Sequence, residues 1–247
     1  MFARLAQSTQ YRLVRDFVRG EATALALIAL AAGLVLGFLR LADEVGEGET
    51  LAFDNAILML FRTPGNPDQV IGPSWVKEMV RDVTSLGSFT LLGLIVAGVA
   101  IYLVLAKMRH AAWLVVISVL SGTLLSTLLK MGYNRPRPEL LHLTEEYTAS
   151  FPSGHAMLSA VTYLTLGALL ARLAPTRGLR IFSIVAAICL TVMVGISRLY
   201  LGVHFPSDVL AGWSLGAAWA LLWSTVAIIL QRRGAVEHAP NVSVAAP

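Results

Sequence analysis

Two histidines in this sequence stand where apolar runs end and polar residues begin. His155 closes the tetrapeptide Pro152-Ser153-Gly154-His155, and His204 precedes Asp208 by four residues. Lys130, Arg135, Arg137 and Arg198 fall in the same two polar intervals. Pro206 and Ser207 mark a helix start, which puts Asp208 in its first turn with His204 just before it. A carboxylate so placed can hold one imidazole nitrogen and leave the other aimed outward. That makes His204 a candidate nucleophile and His155 the acid that protonates a departing oxygen. Lys130, Arg137 and Arg198 come from separate segments and suit a dianion; planar guanidinium groups fit phosphate best. Ser153 is a natural N-cap, Gly154 permits close backbone approach, and free N–H groups at that helix start face an anion.

Each residue alone has an ordinary explanation. A lone histidine is more often structural, and arginines near helix ends anchor membrane proteins at the headgroup level. It is the combination that points to phosphoryl chemistry, because His110, His142 and His238 lack such company. Metal-assisted chemistry needs several converging carboxylates. Asp208 is the acidic residue of these segments, and Glu139, Glu145 and Glu146 sit beside cations or in a polar stretch. The expectation is no metal and no cofactor. Cys189, the single cysteine, lies in an apolar run, which excludes a disulfide framework.

The elements that position these residues read as membrane helices. Of the 247 residues, 56% are hydrophobic and 14% charged, a balance beyond the needs of a soluble core. A crossing takes about 20 apolar residues. Six stretches qualify: Ala22 to Phe38, Phe89 to Ala106, Ala111 to Leu129, Ala156 to Leu173, Leu179 to Ile196 and Val209 to Leu230. The fold class expected is all-α: a polytopic membrane protein with a six-transmembrane-helix bundle. Two amphipathic stretches, Leu51 to Arg62 and Trp75 to Leu86, occupy the first outer loop and read either as a structured cap or as an interfacial element admitting substrate. In the second reading Leu58 and Phe61 edge a lateral opening. The expected organisation is a basic cytoplasmic segment at 1–21, the six-helix domain at 22–230 and a cytoplasmic tail at 231–247. The net charge of +4 does not imply a nucleic-acid partner, because the basic residues are scattered.

Lysine and arginine set the orientation. With the N-terminus inside, inner segments hold eleven of the nineteen basic residues, and outer segments hold twelve of the fifteen acidic ones. Two crossings separate the Lys130–His155 loop from the Ser197–Asp208 loop, so both emerge on one face, the outer one.

The segments Lys130-Met-Gly-Tyr-Asn-Arg-Pro-Arg137-Pro138, Pro152-Ser-Gly-His155 and Ser197-Arg198 through His204 to Asp208 resemble the three-part signature of the type 2 phosphatidic acid phosphatase superfamily. The resemblance implies a helical core and a phosphohistidine at His204, with proton donation by His155 and orientation by Asp208. It also implies phosphate contacts from Lys130, Arg137, Ser153, Gly154 and Arg198. Soluble acid phosphatases and vanadium haloperoxidases share the signature, and the six apolar helices favour the membrane branch, which is similar to bacterial phosphatases of phosphatidylglycerol phosphate, phosphatidic acid or undecaprenyl pyrophosphate. The partners expected are a lipid phosphate and the bilayer, with no nucleic acid. A lipid phosphotransferase using the same histidine, and a non-catalytic lipid transporter with a retained site, are the rival readings. The sixteen arginines against three lysines point to a bacterial source, hence a bacterial inner membrane with a periplasmic site.

Overall fold

The computed structural model describes residues 2–139 and 148–234, with side chains from residue 21 onward within those limits. His142, Glu145, Glu146 and His238 lie outside the described residues, as do the side chains of the basic N-terminal segment and most of the expected tail.

Among the described residues, eight helices account for most of the fold. They are α1 (Phe2–Gly46), α2 (Leu51–Met59), α3 (Ser74–Ser85), α4 (Phe89–Leu105), α5 (Arg109–Gly132), α6 (Gly154–Leu173), α7 (Arg177–Tyr200) and α8 (Pro206–Arg232). Five have the length and hydropathy to cross a membrane, and α3 with α4, bent by 49° at a short break, meet that standard only when taken together, so the described residues hold five to six crossings. Local chemistry sets several starts. The Ser88 hydroxyl accepts from Leu91 N at 3.3 Å where α4 begins, Thr176 does the same for Leu179 N at α7, and Pro206 occupies the first turn of α8.

A small hairpin, β1 (Arg62–Thr63) and β2 (Asn66–Val70), lies between α2 and α3 and was not expected. Asn66-Pro-Asp-Gln-Val70 has no apolar alternation to announce a strand. Tertiary hydrogen bonds hold this region instead: Arg62 Nη1 donates to Tyr200 O at 2.8 Å, and the Tyr200 hydroxyl donates to Ile71 O at 2.7 Å.

The two amphipathic stretches do form helices, but α2 is not the edge of an opening. Leu58 is 1% exposed and packs with Ala156, Leu199, Phe205 and Val209, while Phe61 meets Tyr200 edge-on at 6.3 Å. The lateral opening expected at Leu58 and Phe61 is therefore corrected to a packed cap. Burying those side chains against α6 and α8 gains more than leaving them at the interface.

α6 packs against both α7 and α8, and α1 packs against α8. The α6–α8 contact depends on two glycines one turn apart. A Cβ at Gly212 would stand 2.7 Å from Ser153 O, and one at Gly216 would stand 2.6 Å from Met157 O. Small residues at this spacing let helix backbones approach closely inside a membrane. This close approach brings the start of α8 beside the start of α6.

Gly216→Leu is expected to destabilise the protein by about 1–3 kcal/mol through overpacking. Thermal unfolding in detergent checks this, with Gly93→Ala as the control, since a Cβ at Gly93 meets nothing within 4 Å.

Candidate active site

The starts of α6 and α8, the end of α7 and the described parts of the connection between α5 and α6, residues 133–139 and 148–153, meet at one end of the bundle. His204 sits just before α8, 1% exposed, with its two ring nitrogens in different company. Nδ1 lies 3.5 Å from Asp208 Oδ2 and 3.4 Å from Ser150 Oγ; Nε2 lies 3.3 Å from Arg137 Nη1. One face of the ring is thus held by oxygen atoms and the other faces a cation. Burial lowers the His204 pKa to about 4; Asp208 pulls it upward, and the positive charges of Arg198 and Arg137 push it down. The imidazole is neutral near pH 7 and keeps a lone pair.

Asp208 is fully buried and heavily hydrogen-bonded. Its Oδ2 accepts from Phe205 N at 2.8 Å and from Ser150 Oγ, and its Oδ1 accepts from Arg135 Nη1 at 2.6 Å. The bond to Phe205 N is the reach of a third-position carboxylate back to the residue that caps the helix.

The cations arrive from separate elements. Arg137 Nε donates to Thr148 O at 2.9 Å and its Nη1 to Val203 O at 2.7 Å, while Lys130, in the last turn of α5, donates from Nζ to Ala149 O at 2.8 Å. Both also approach Thr148 Oγ1, at 3.2 Å and 3.4 Å. Arg198 is 1% exposed and donates from Nη1 to Thr84 Oγ1 at 3.0 Å, which ties the end of α7 to α3. Gly154 faces Lys130, whose Cε would lie 3.1 Å from an added Cβ.

Ser153 occupies the N-cap of α6, yet its hydroxyl makes no capping bond. That hydroxyl is buried and has no hydrogen-bond partner within the described protein. An unsatisfied buried hydroxyl costs free energy unless something polar reaches it, and an anion at the helix start would do so. His155 stands in the first turn of α6 next to Gly87, at the α3–α4 bend, where an added Cβ would lie 3.3 Å from its Cδ2.

All eight residues singled out from the sequence therefore lie at this end of the bundle. The PAP2 superfamily pattern matches residues 111–231. Phosphatidylglycerophosphatase B of Bacillus subtilis is 34% identical over 190 residues, spanning 74% of this chain and 87% of that protein. The chain belongs to the PAP2 superfamily.

Within that superfamily, the crystal structure of a transmembrane PAP2 type phosphatidylglycerolphosphate phosphatase from Bacillus subtilis superposes with a TM-score of 0.73 at 30% identity, covering 82% of this chain and 98% of that one. A lipid A 1-phosphatase of Rhizobium johnstonii is 29% identical over 202 residues, 72% of this chain and 76% of that protein. The PAP2 match takes in α5 to α8, and this chain is a multi-pass membrane protein.

Two members of the site escaped the sequence reading. In sequence Arg135 reads as one more loop cation without a task of its own, and Asp54 lies outside the three signature segments. Asp54 lies upstream of the PAP2 match and is 0% exposed. The usable signal was a lone carboxylate in the apolar helix Leu51-Ala-Phe-Asp54-Asn-Ala-Ile-Leu-Met59.

Nitrogen-15 NMR of histidine-labelled protein in detergent is expected to show His204 titrating near pH 4. Because the unfolded imidazole binds its proton near 6.5, stability conferred by the neutral ring is full above that value and is lost as pH falls toward 4. A His204 midpoint at or above 6.5 contradicts the buried neutral imidazole.

Proposed function

We infer that the chain hydrolyses a phosphomonoester or pyrophosphate carried by a membrane lipid, through a phosphohistidine on His204. The observation that carries this reading is the division of the His204 ring, with Nδ1 toward Asp208 and Nε2 toward Arg137. An anion held by Arg137, Arg198, Lys130, the Ser153 hydroxyl and the Gly154 amide would meet Nε2 directly.

In the first step the Nε2 lone pair attacks phosphorus and the bond from phosphorus to the leaving oxygen breaks. His155 gives that oxygen a proton, while Asp208 steadies the Nδ1–H of the developing imidazolium. In the second step His155, now neutral, takes a proton from water as the water oxygen attacks phosphorus. The P–N bond breaks, its electrons return to His204, and inorganic phosphate departs. The cation clamp acts on charge that grows in both transition states.

The reaction needs no metal in this reading. Among the described residues no group of three or more histidine, cysteine or acidic side chains converges as a metal site. The two buried carboxylates, Asp54 and Asp208, are taken up by Arg135.

The names of the Bacillus relatives favour a phospholipid such as phosphatidylglycerol phosphate; phosphatidic acid and undecaprenyl pyrophosphate belong to the same chemical class. The tails stay in hydrocarbon, since moving them into water costs about 0.8 kcal/mol per CH₂. An apolar groove between α4, α5 and α6, lined by Phe89, Gly93, Leu120, Thr123 and Leu158, runs below the site and suits sideways access. The charge distribution supports a periplasmic site in a bacterial inner membrane, with residues 1–21 and 231–247 in the cytoplasm and 22–230 forming the phosphatase domain. A phosphotransferase would use the same histidine and differ only in its acceptor.

Phosphate release from lipid monophosphates and pyrophosphates by purified protein in detergent, without an added acceptor, tests the reading. Release is expected to persist in excess chelator and to fall by at least about 10³-fold in His204→Ala. Gly93→Leu is expected to raise KM for long-chain substrates and leave short-chain ones unchanged. Near-normal turnover by His204→Ala, or activity that depends on added magnesium, would overturn the mechanism; equal effects of Gly93→Leu on both chain lengths would reject the groove.

A further inference from the structure

Arg135 lies in the connection after α5 and is nearly buried, its side chain 9% exposed. Its guanidinium group lies 4.3 Å from the centre of the Phe205 ring and spans two buried carboxylates. Nη1 donates to Asp208 Oδ1 at 2.6 Å and to Ser207 Oγ at 2.8 Å, and Nη2 donates to Asp54 Oδ2 at 2.7 Å and to Thr50 Oγ1 at 3.3 Å. Asp54 also receives Ser207 N on Oδ1 at 2.9 Å and the Ser207 hydroxyl on Oδ2 at 2.6 Å. A carboxylate on the cap helix α2 is thereby joined through one arginine to the carboxylate beside His204.

The charge count gives this arrangement its meaning. Two carboxylates face one guanidinium, so the cluster retains a negative charge that Arg135 does not neutralise. A single Arg135–Asp208 pair would bring a full positive charge onto Asp208 and weaken its hold on the imidazolium that forms at His204. Asp54 competes for that arginine from the opposite side. Packing alone does not call for so many charged and polar groups at 0 to 9% exposure; an apolar contact of the same volume would hold α2 on α8 at least as well.

We propose that Asp54 and Arg135 are positioning residues for catalysis: Arg135 fixes the Asp208 carboxylate against His204, and Asp54 draws off enough of the arginine's charge to leave Asp208 available to the imidazole. Neither residue belongs to the proposed phosphate clamp, and Asp54 reaches the site from an element outside the superfamily match. The inference rests on the His204–Asp208 pair acting as proposed above. The other groups bearing on His204 are Arg137 from the 133–153 connection, Arg198 from α7 and Ser150.

The test compares Asp54→Asn, Arg135→Gln and the double variant, each checked for a monodisperse, folded state, on a short-chain lipid phosphate. Each single change is expected to lower kcat by about tenfold or more with KM nearly unchanged, and the double variant is expected to be no slower than the slower single. Arg135→Lys keeps the charge but offers one compact ammonium in place of a two-ended fork, so it is expected to lose kcat as well. A second readout is independent of turnover. Relative to the unaltered protein, the His204 NMR midpoint is expected to move down in Asp54→Asn, up in Arg135→Gln and back toward the starting value in the double variant. Unchanged kcat in either single variant, losses that multiply in the double, KM rising in step with the fall in kcat, or a His204 midpoint that does not move would overturn the proposal. Absence of phosphate release by the unaltered protein would instead reject the reading of function, leaving the NMR comparison to decide this one.

Discussion

Asp208 carries its charge with no exposed surface, and this end of the bundle, where α6 and α8 begin, is arranged around that fact. A buried carboxylate without partners costs several kcal/mol, so donors must come to it from the surrounding elements. The backbone of Phe205, the hydroxyl of Ser150 and the guanidinium of Arg135 supply them, from the start of α8 and the connection that precedes α6. The same carboxylate faces Nδ1 of His204, which leaves Nε2 toward Arg137. Its main-chain oxygen accepts from Ser153 N at 3.0 Å, so the starts of α6 and α8 are hydrogen-bonded to each other as well as packed. Gly212 makes that approach sterically possible.

In the proposed reaction this arrangement allows an imidazole to act as nucleophile at neutral pH. Burial and the neighbouring arginines keep His204 neutral in the resting site, and Asp208 is in place to stabilise positive charge once the P–N bond begins to form. The cations are anchored by carbonyl oxygens and hydroxyls: Lys130 by Ala149, Arg137 by Thr148 and Val203, Arg198 by Thr84. A clamp held this way needs little reorganisation when a phosphate arrives. The apolar lining of the groove between α4, α5 and α6 suits a substrate whose headgroup is charged and whose tails are not.

Much of this was legible in the sequence, for identifiable reasons. The crossings could be read because a membrane helix must satisfy its own backbone and carry an apolar run of fixed length. Counting crossings then put two distant loops on one face. The i, i+4 spacing of His204 and Asp208 and the Pro-Ser-Gly-His turn are local patterns, and local patterns survive in one dimension. What was missed is non-local. Asp54 meets Ser207 and Arg135 across long sequence separations, and its one local mark, a lone carboxylate in an apolar helix, does not say which residues it meets. The β1–β2 hairpin is held by Arg62 and Tyr200 rather than by strand-forming sequence. Leu58 fits a cap and a gate equally well in sequence, because an amphipathic helix looks alike whether its apolar face meets lipid or protein; the partners Ala156 and Val209 decide for the cap. Gly212 and Gly216 carry the spacing of close-packed membrane helices, a signal that was present and passed over.

The most direct measurement is to trap the covalent intermediate. Protein mixed with a short-chain lipid phosphate labelled with phosphorus-32 is quenched in alkali within a single turnover and digested, and the labelled peptide is sequenced by mass spectrometry. The account predicts an alkali-stable, acid-labile phosphoramidate on His204 that forms and decays at rates consistent with turnover. Label on another residue, or rapid turnover in which no phosphoenzyme forms on His204, would contradict it.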